Sequence, residues 1–431
     1  MRSSLKLNPI VPGSVVAVVG AGASGEAAAR LLRAKGARVR LLERNPEKVG
    51  QRLLDLAERI GIEIITGPHD PAHFQDVSLV VPSPGVPYSR LMLMLEAAGS
   101  PPVMSEMELA WRFVDEPVLA ITGTSGKTTT ASIAAAMLRE AGKTVFLGGN
   151  IGTPLSEYVA EGKKADVLVL EVSSFQLMGC DTFRPHVAVL LNISPNHLDQ
   201  HESMREYVEA KFSLFARQTE DDVAIFSTEL EDEVPVRDIK AKIQYFSATD
   251  RFPDSQLLGA HNKANMEAAY LAAREFGVGE EEARRAVAAF EPLPNRLEQV
   301  GEWNGVLYIN DSKATTPSAL GVALQSVPRP ILLLAGGVFK GGELAALNDL
   351  VRDKVKAVGL FGANRDIFEK AWNGIVPLSW SPTLEEAVIA LREQAVPGDV
   401  IMLAPATSSY DQYPNYVERG ADFRRIAGLV R

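Results

Sequence analysis

Short β-branched runs alternate with alanine-rich stretches from one end of this 431-residue chain to the other. "SVVAVVG" leads into "ASGEAAARLLRAKG" and then "ARVRLLER", with "IEIITG" and "VSLVVPSPGV" following. The middle carries "PVLAIT", "ADVLVLEVS" and "HVAVLLNIS", and the last third carries "GVLYINDS", "PILLLAGG", "KAVGLFG" and "DVIMLAPA". Unbroken apolar strands separated by helix formers specify an α/β fold. Strands buried on both faces pair in parallel, and the chain returns across such a sheet as a helix. Sheets of this kind bind ligands beyond the carboxyl ends of their strands, which directs attention to the small and polar residues that end each run.

The rhythm restarts twice. A proline pair in "AAGSPPVMSE" marks a break near residue 98, and two prolines in "FEPLPNRLEQV" mark another near residue 293. Three domains result, at 1–98, 99–293 and 294–431, in keeping with roughly 150 residues per domain. The first block reads as one doubly wound nucleotide-binding half. Over its whole length the chain has 44 basic and 54 acidic residues, a net charge of −10, which removes any general attraction to nucleic acid or anionic membrane. No apolar run nears the roughly 18 residues of a membrane span, and "MRSSLKLNPIVPG" lacks a signal-peptide core, so a cytoplasmic protein without membrane insertion is expected. Cys180 is the sole cysteine, which excludes an internal disulfide and reads as buried filler.

"VLAITGTSGKTTTAS" carries the most chemistry. Ile121 breaks the strict G-x-x-x-x-G-K-[ST] pattern, leaving the shorter Gly123-Thr124-Ser125-Gly126-Lys127-Thr128. The physics of a phosphate cradle survives the contraction: glycines allow close backbone approach, amides and a helix start face the anion, Lys127 adds charge and Thr128 can reach a metal. Mg²⁺ prefers oxygen ligands. Glu171, ending "ADVLVLE", would project beside the cradle if the two strands are neighbours.

"NISPNHLDQHES" holds His197 and His201 four residues apart, but Leu198 stands where a zinc-protease helix needs Glu, which disfavours zinc. A histidine at a strand's end can hold substrate or a second metal, or be structural. Lys211 in "REYVEAKFSLF", taken from its helix alone, reads as a surface lysine whose stem lies along apolar neighbours.

A second glycine loop complicates the picture. Gly20-Ala21-Gly22-Ala23-Ser24-Gly25 fits G-x-G-x-x-G after a strand, with Glu43 ending the next strand, and by itself suggests an NAD-dependent dehydrogenase. A dehydrogenase has no evident use for a Lys-Thr cradle and a metal carboxylate. An enzyme that takes ATP and a nucleotide-linked substrate uses both loops, and a non-catalytic nucleotide-binding regulator is a third reading. Ser83-Pro84-Gly85 at a strand end is either a companion of the first loop or a simple turn.

"ITGTSGKTTT", "GGNIGTPL", "LEVSSFQL", "NISPNHLD", "HNKANMEAA", "LPNRLE" and "NDSKATTPSA" resemble, in order, segments of the Mur ligases, the ATP-dependent amino-acid ligases of peptidoglycan precursor synthesis. Near the end, "APATSSYDQYPNYVERGADF" looks most like the members that add D-glutamate rather than those that add L-alanine. The resemblance implies three domains: an N-terminal Rossmann-like one for UDP, a central phosphate-loop ATPase with a mostly parallel sheet, and a C-terminal Rossmann-like one for the amino acid. It implies UDP-N-acetylmuramoyl-L-alanine and D-glutamate as substrates, ATP and Mg²⁺, and a cytoplasmic monomer.

Residue by residue, the resemblance assigns ATP to Gly123, Thr124, Ser125, Gly126, Lys127, Thr128 and Thr129, with Asn262 and Asn265 on the adenine side and Arg296 and Asp311 on phosphates and ribose. It places UDP-substrate contacts at Gly22, Ala23 and Ser24, at Glu43, Arg44 and Ser83, and at Asn150, Ser173 and His197. Metal falls to Thr128, Glu171, His197 and Lys211, the last matching the family's carbamylated lysine. Lys127, Glu171, His197 and Lys211 form the catalytic set. Lys313, Thr315, Lys340, Ser409 and Tyr416 match the D-glutamate positions. Asn295 stands before Arg296 where a histidine is common, and Tyr416 stands where Phe is familiar.

Overall fold

The computed structural model describes residues 10–195, 201 and 203–429. Three sheets, each with helices between its strands, organise the chain as three α/β domains. The first sheet comprises β1 (Val15–Val19), β2 (Arg38–Glu43), β3 (Ile62–Thr66) and β4 (Leu79–Pro82), all parallel in the order β3-β2-β1-β4. The second contains β5 (Val118–Thr122), β6 (Val145–Gly149), β7 (Val167–Glu171), β8 (Val187–Leu190), β9 (Val223–Ser227) and β10 (Lys242–Phe246). These are parallel too, in the order β10-β9-β8-β5-β7-β6. Every residue of β5 and β7 is buried, as expected where helices cover both faces.

The third sheet comprises β11 (Glu298–Trp303), β12 (Val306–Asn310), β13 (Ile331–Ala335), β14 (Val355–Phe361), β15 (Leu378–Ser381) and β16 (Val400–Leu403), in the order β11-β12-β16-β13-β14-β15. It departs from the parallel rhythm at one edge: β11 runs antiparallel to β12. Asn304 and Gly305, at φ +55° and +75°, make the two-residue turn, the left-handed pair that such hairpins favour.

By contacts the chain forms two compact units. One comprises residues up to Pro253 together with Ala264–Ala288 and carries the first two sheets; the other comprises Asp254–Lys263 and Ala289 onward and carries the third. In the first unit a continuous apolar core runs from Val16, Val18 and Leu41 to Ala120, Leu168 and Leu190. Arg30 and Glu157, both partly exposed, pair at 3.3 Å. In the second unit the period-two alternation of strands sends Ile309, Leu333 and Met402 to one face and Tyr308, Leu332 and Leu403 to the other. Among the described residues no helix is long and apolar enough to cross a membrane.

In each sheet the order reverses beside a strand whose following loop is rich in glycine or hydroxyl residues: β1 and β4, β5 and its neighbours, β13 and β16. Such reversals open a crevice at the carboxyl edge.

Candidate active site

At the first crevice, Gly20 leaves β1 at φ +95° and the helix Ala23–Ala34 begins from Gly22 without a side-chain cap. Its leading amides are thus left by the side chains for an anion. A side chain at Gly25 would collide with the Gly20 carbonyl, so only glycine lets helix and turn pack this closely. Ser83, at the end of β4, donates to that same carbonyl at 3.1 Å, which makes it part of the turn's construction. Glu43, ending β2, accepts from the Ala21 amide at 2.8 Å and from the Asn45 amide at 2.9 Å. Burial works to raise the Glu43 carboxyl, but those two amides, aided by Lys48 and His69, outweigh it and hold the group below the usual carboxylate range. Arg44 is exposed beside it, as are Gly22 and Ala23, with Ser24 half-buried.

The second loop has the same beginning and a different equipment. Gly126, at φ +83°, caps the helix Lys127–Glu140, again without a side-chain bond. A side chain there would also meet the Asn265 amide oxygen at 2.5 Å. Asn192, following β8, closes the loop from the side: its carbonyl accepts from the Thr124 amide at 3.0 Å and its side chain from the Ser125 amide at 2.9 Å. Lys127 Nζ donates to the carbonyls of Gly123 and Thr124 at 2.9 and 3.0 Å. Thr129 is buried in the first turn of the helix.

Because β5 and β7 are adjacent, with Ile121 opposite Glu171, that carboxylate does reach the loop. It is 2% exposed. Thr128 Oγ1 donates to one oxygen at 2.7 Å and Asn150 Nδ2 to the other at 2.8 Å. A buried carboxylate met by neutral donors, one of them a hydroxyl, has the chemistry a hard divalent cation requires. Among the described residues no three His, Cys, Asp or Glu side chains cluster for a metal. His197 lies outside the described residues.

The surface reading of Lys211 is corrected. The side chain is 1% exposed and donates to the Gly123 carbonyl at 2.9 Å, the same oxygen that Lys127 engages. Burial first, and the Lys127 charge second, push its amine down to about 7. An uncharged amine at this position is nucleophilic near neutral pH. The helical pattern misled because the polar group that receives this lysine arrives from a loop distant in sequence.

Ser173 proves to be the N-cap of the short helix Ser174–Met178, locked in a reciprocal bond pattern with Gln176. His201, open in the sequence to holding substrate or a second metal or to a structural role, is buried, with Nε2 at 2.9 Å from Ser174 Oγ and its ring stacked on Phe175. Cys180 Sγ packs against Ser105 Oγ and the Gln176 carbonyl, and burial raises its thiol.

In the second unit, Asn262, near the start of the helix Ala260–Arg274, bonds the Leu258 carbonyl at 2.8 Å. Arg296 sits between two non-glycine residues in the left-handed region, Asn295 at φ +63° and Leu297 at φ +43°. Leu297 is buried, and holding it there costs about 1–3 kcal/mol. Asparagine tolerates the conformation of position 295, and its carbonyl accepts from the Lys313 amide at 3.2 Å. Asp311, after β12, is close to both: burial pushes its carboxyl up to about 7 against the opposing pull of the Leu297 amide and the Arg296 charge.

Past the third crevice, Lys313 Nζ lies 4.2 Å over the Tyr416 ring, and Ser312 Oγ donates to the Tyr416 carbonyl at 2.8 Å. Lys340 rides 4.8 Å over Tyr410, a residue without a sequence-level role. The loops after β13 and β16 are tied by a bridge between Val338 and Ser408, which brings Ser409 alongside the segment bearing Lys340. Thr315 follows Lys313 in the loop after β12. Arg419 is fully buried, with bonds to Ser312 Oγ and to the Ser312 and Thr407 carbonyls, each at 3.0 Å. No local sequence signal sets Arg419 or Asn192 apart, since each acts on residues remote in the chain.

Family models match in chain order: Mur ligase MurD-like, N-terminal domain, at residues 14–104; Mur ligase middle domain at 121–248; and Mur ligase, glutamate ligase domain, at 295–407. The UDP-N-acetylmuramoylalanine–D-glutamate ligase of Nitratidesulfovibrio vulgaris is 59% identical over 97% of both chains. The enzyme of that name from Lawsonia intracellularis is 52% identical over 96% of this chain and 94% of its own. That of Salinibacter ruber is 40% identical over 95% and 96%. Among solved structures, MurF ligase from Thermotoga maritima in complex with ADP has a TM-score of 0.60 at 18% identity, covering 91% of this chain and 96% of that one. E. coli FolC in complex with DHPP and ADP scores 0.57 at 16% identity, over 81% and 100%, and like the former speaks to fold alone. Similarity this high along the whole length, with the three family models in their order, places the chain in the Mur ligase family, on its UDP-N-acetylmuramoylalanine–D-glutamate ligase branch.

Proposed function

We propose that the chain is an ATP-dependent ligase that joins D-glutamate to the free carboxylate of UDP-N-acetylmuramoyl-L-alanine, in cytoplasmic peptidoglycan precursor synthesis, and that it works as a monomer. The observation that carries the reading is the Lys127-Thr128 loop with the buried Glu171 beside it. An oxygen of the substrate carboxylate attacks the γ-phosphorus of ATP, the bond to ADP breaks, and an acyl phosphate results. The free amine of D-glutamate attacks that carbonyl, and the tetrahedral adduct expels phosphate and loses a proton to leave an amide.

The amides of residues 123–129 and the Lys127 ammonium hold the phosphoryl oxygens and stabilise their charge by position. Lys127 must release the Gly123 and Thr124 carbonyls to do so. Asn265, packed on Gly126, belongs to the adenine side. Mg²⁺ held by Thr128 and Glu171, with His197 and a carbamylated Lys211 at a second position, would supply further charge neutralisation on those oxygens. The Lys211 amine suits carbamylation, in which its lone pair bonds to CO₂ and a proton departs. Lys313 and Lys340, with Thr315, Ser409 and Tyr416, receive the carboxylates of D-glutamate.

Phosphate release is the test, with ATP, Mg²⁺ and UDP-N-acetylmuramoyl-L-alanine in every reaction and D-glutamate, L-glutamate, L-alanine or no amino acid added. Release and amide formation with D-glutamate alone are expected. Equal release without an amino acid, or with L-alanine, overturns the assignment.

A further inference from the structure

Tyr207 has no part in the chemistry above, yet it reaches both the loop and Lys211. It lies on the helix Met204–Phe212, one turn before Lys211, and is 1% exposed. Its hydroxyl is hydrogen-bonded to Thr124 Oγ1 at 2.9 Å. Its ring face carries Lys211 Nζ at 4.5 Å from the centroid. The Tyr207 and His201 rings meet in an edge-on arrangement with centroids 5.3 Å apart, and His201 is itself fixed by Ser174 Oγ and by the Phe175 ring.

A core position needs only volume, which phenylalanine or leucine supplies. Burying a hydroxyl is unfavourable unless it finds a partner, and here the partner is a phosphate-loop side chain rather than the tyrosine's own helix. Thr124 Oγ1 also accepts from the Ser194 amide at 3.0 Å, so its orientation is set from two directions. The Lys211 amine lies between the Gly123 carbonyl and the electron-rich ring face, an arrangement that fixes a flexible four-carbon chain. One rigid side chain thus sets the rotamers of two groups that face the same few ångströms of space.

We propose that Tyr207 is a positioning residue for phosphoryl transfer, its hydroxyl holding Thr124 in the phosphate loop and its ring face seating Lys211, so that both are in place before nucleotide arrives. The inference rests on reading residues 123–128 as the ATP loop. Preset groups of this kind lower the reorganisation that binding and reaction would otherwise require.

The test uses the full-length protein and four variants: Tyr207→Phe, Tyr207→Leu, Thr124→Val, and Tyr207→Phe combined with Thr124→Val. Calorimetry gives the affinity for Mg²⁺ and a non-hydrolysable ATP analogue, steady-state assays give kcat and each KM, and thermal melts report folding. Tyr207→Phe is expected to weaken analogue binding about two- to tenfold, the reach of one hydrogen bond, with the KM for the UDP substrate unchanged. The double variant should bind no worse than Thr124→Val alone. Tyr207→Leu should add a fall in kcat that Tyr207→Phe does not show.

Wild-type affinity and turnover in Tyr207→Phe overturn the proposal, as do losses that multiply in the double variant. A lower melting temperature with unchanged affinity and KM-to-kcat balance also overturns it, since that is the signature of packing alone. Wild-type protein that binds the analogue but ligates nothing refutes the ligase reading and leaves the affinity cycle to decide on Tyr207. Wild-type protein that binds no nucleotide overturns both.

Discussion

The loops after β1 and β5 begin alike and end differently. Each leaves a buried parallel strand through a glycine with positive φ, and each starts a helix from a glycine without a side-chain cap. In the first, the nearby charge is negative: Glu43 binds the loop's own Ala21 amide, and Glu26 in the first helical turn is paired with Arg52. In the second, the charge is positive at Lys127, which shares the Gly123 carbonyl with the Lys211 amine, and Glu171 is set back against Thr128. The same backbone device therefore serves two ends. A carboxylate beside the turn adds an acceptor for hydroxyl or base donors next to amides left for an anion, whereas a lysine with a recessed carboxylate suits a polyphosphate and its metal.

Lys127→Ala should break the contrast most severely. A fall in kcat of about 10²–10³-fold is expected, the scale of losing one preorganised charge donor, with affinity for the UDP substrate within about twofold of wild type. Weakened binding of the UDP substrate to the same degree would merge the two loops into one site. Next in size is Glu171→Gln, which leaves Thr128 a partner but removes the charge. Magnesium titration of activity should show affinity about 10–100-fold weaker. An unaltered titration would remove Glu171 from the metal.

Lys211 sharpens the contrast further, because the first loop has no comparable amine. With its pKa near 7, the group is mostly neutral above that pH and increasingly protonated below it. Activity in CO₂-free buffer should fall and recover on adding CO₂, and at a fixed CO₂ concentration the recovery should be weaker at pH 6 than at pH 8. Recovery that is equal at both, or no dependence on CO₂, contradicts the assignment.

The smallest effect belongs to the first loop. A carboxyl whose folded pKa lies below its unfolded value near 4.5 adds stability above that pH and loses it as acid takes the pH through the folded value. Glu43→Gln should therefore flatten part of the acid limb of stability measured by denaturant unfolding between pH 3 and 7, with KM for ATP unchanged. A Glu43→Gln protein with an unaltered acid limb would show that the two amide bonds contribute nothing in solution.

The fold was legible where one physical pattern dominated. Unbroken apolar runs such as β5, β7 and β8 could only be strands covered on both faces. The β11–β12 hairpin also has a signal, the Asn304-Gly305 pair, but the reading by parallel rhythm passes over it. Strands with amphipathic or half-buried faces, such as β10 and β15, give no comparable run. Within the candidate site, glycines, Lys127 and Glu171 could be singled out because their chemistry is tied to a strand end. Tyr207, Asn192 and Arg419 could not, because what distinguishes each is a partner 67 to 107 residues away, visible only once the sheets are assembled.

The central claim is that a substrate carboxylate receives the γ-phosphoryl group before the amide forms. UDP-N-acetylmuramoyl-L-alanine labelled with ¹⁸O in its free carboxylate, turned over with ATP and D-glutamate, tests it directly by mass analysis of the released phosphate. Transfer of one carboxylate oxygen to each phosphate is the predicted result. Phosphate free of label, alongside normal amide formation, would contradict the account.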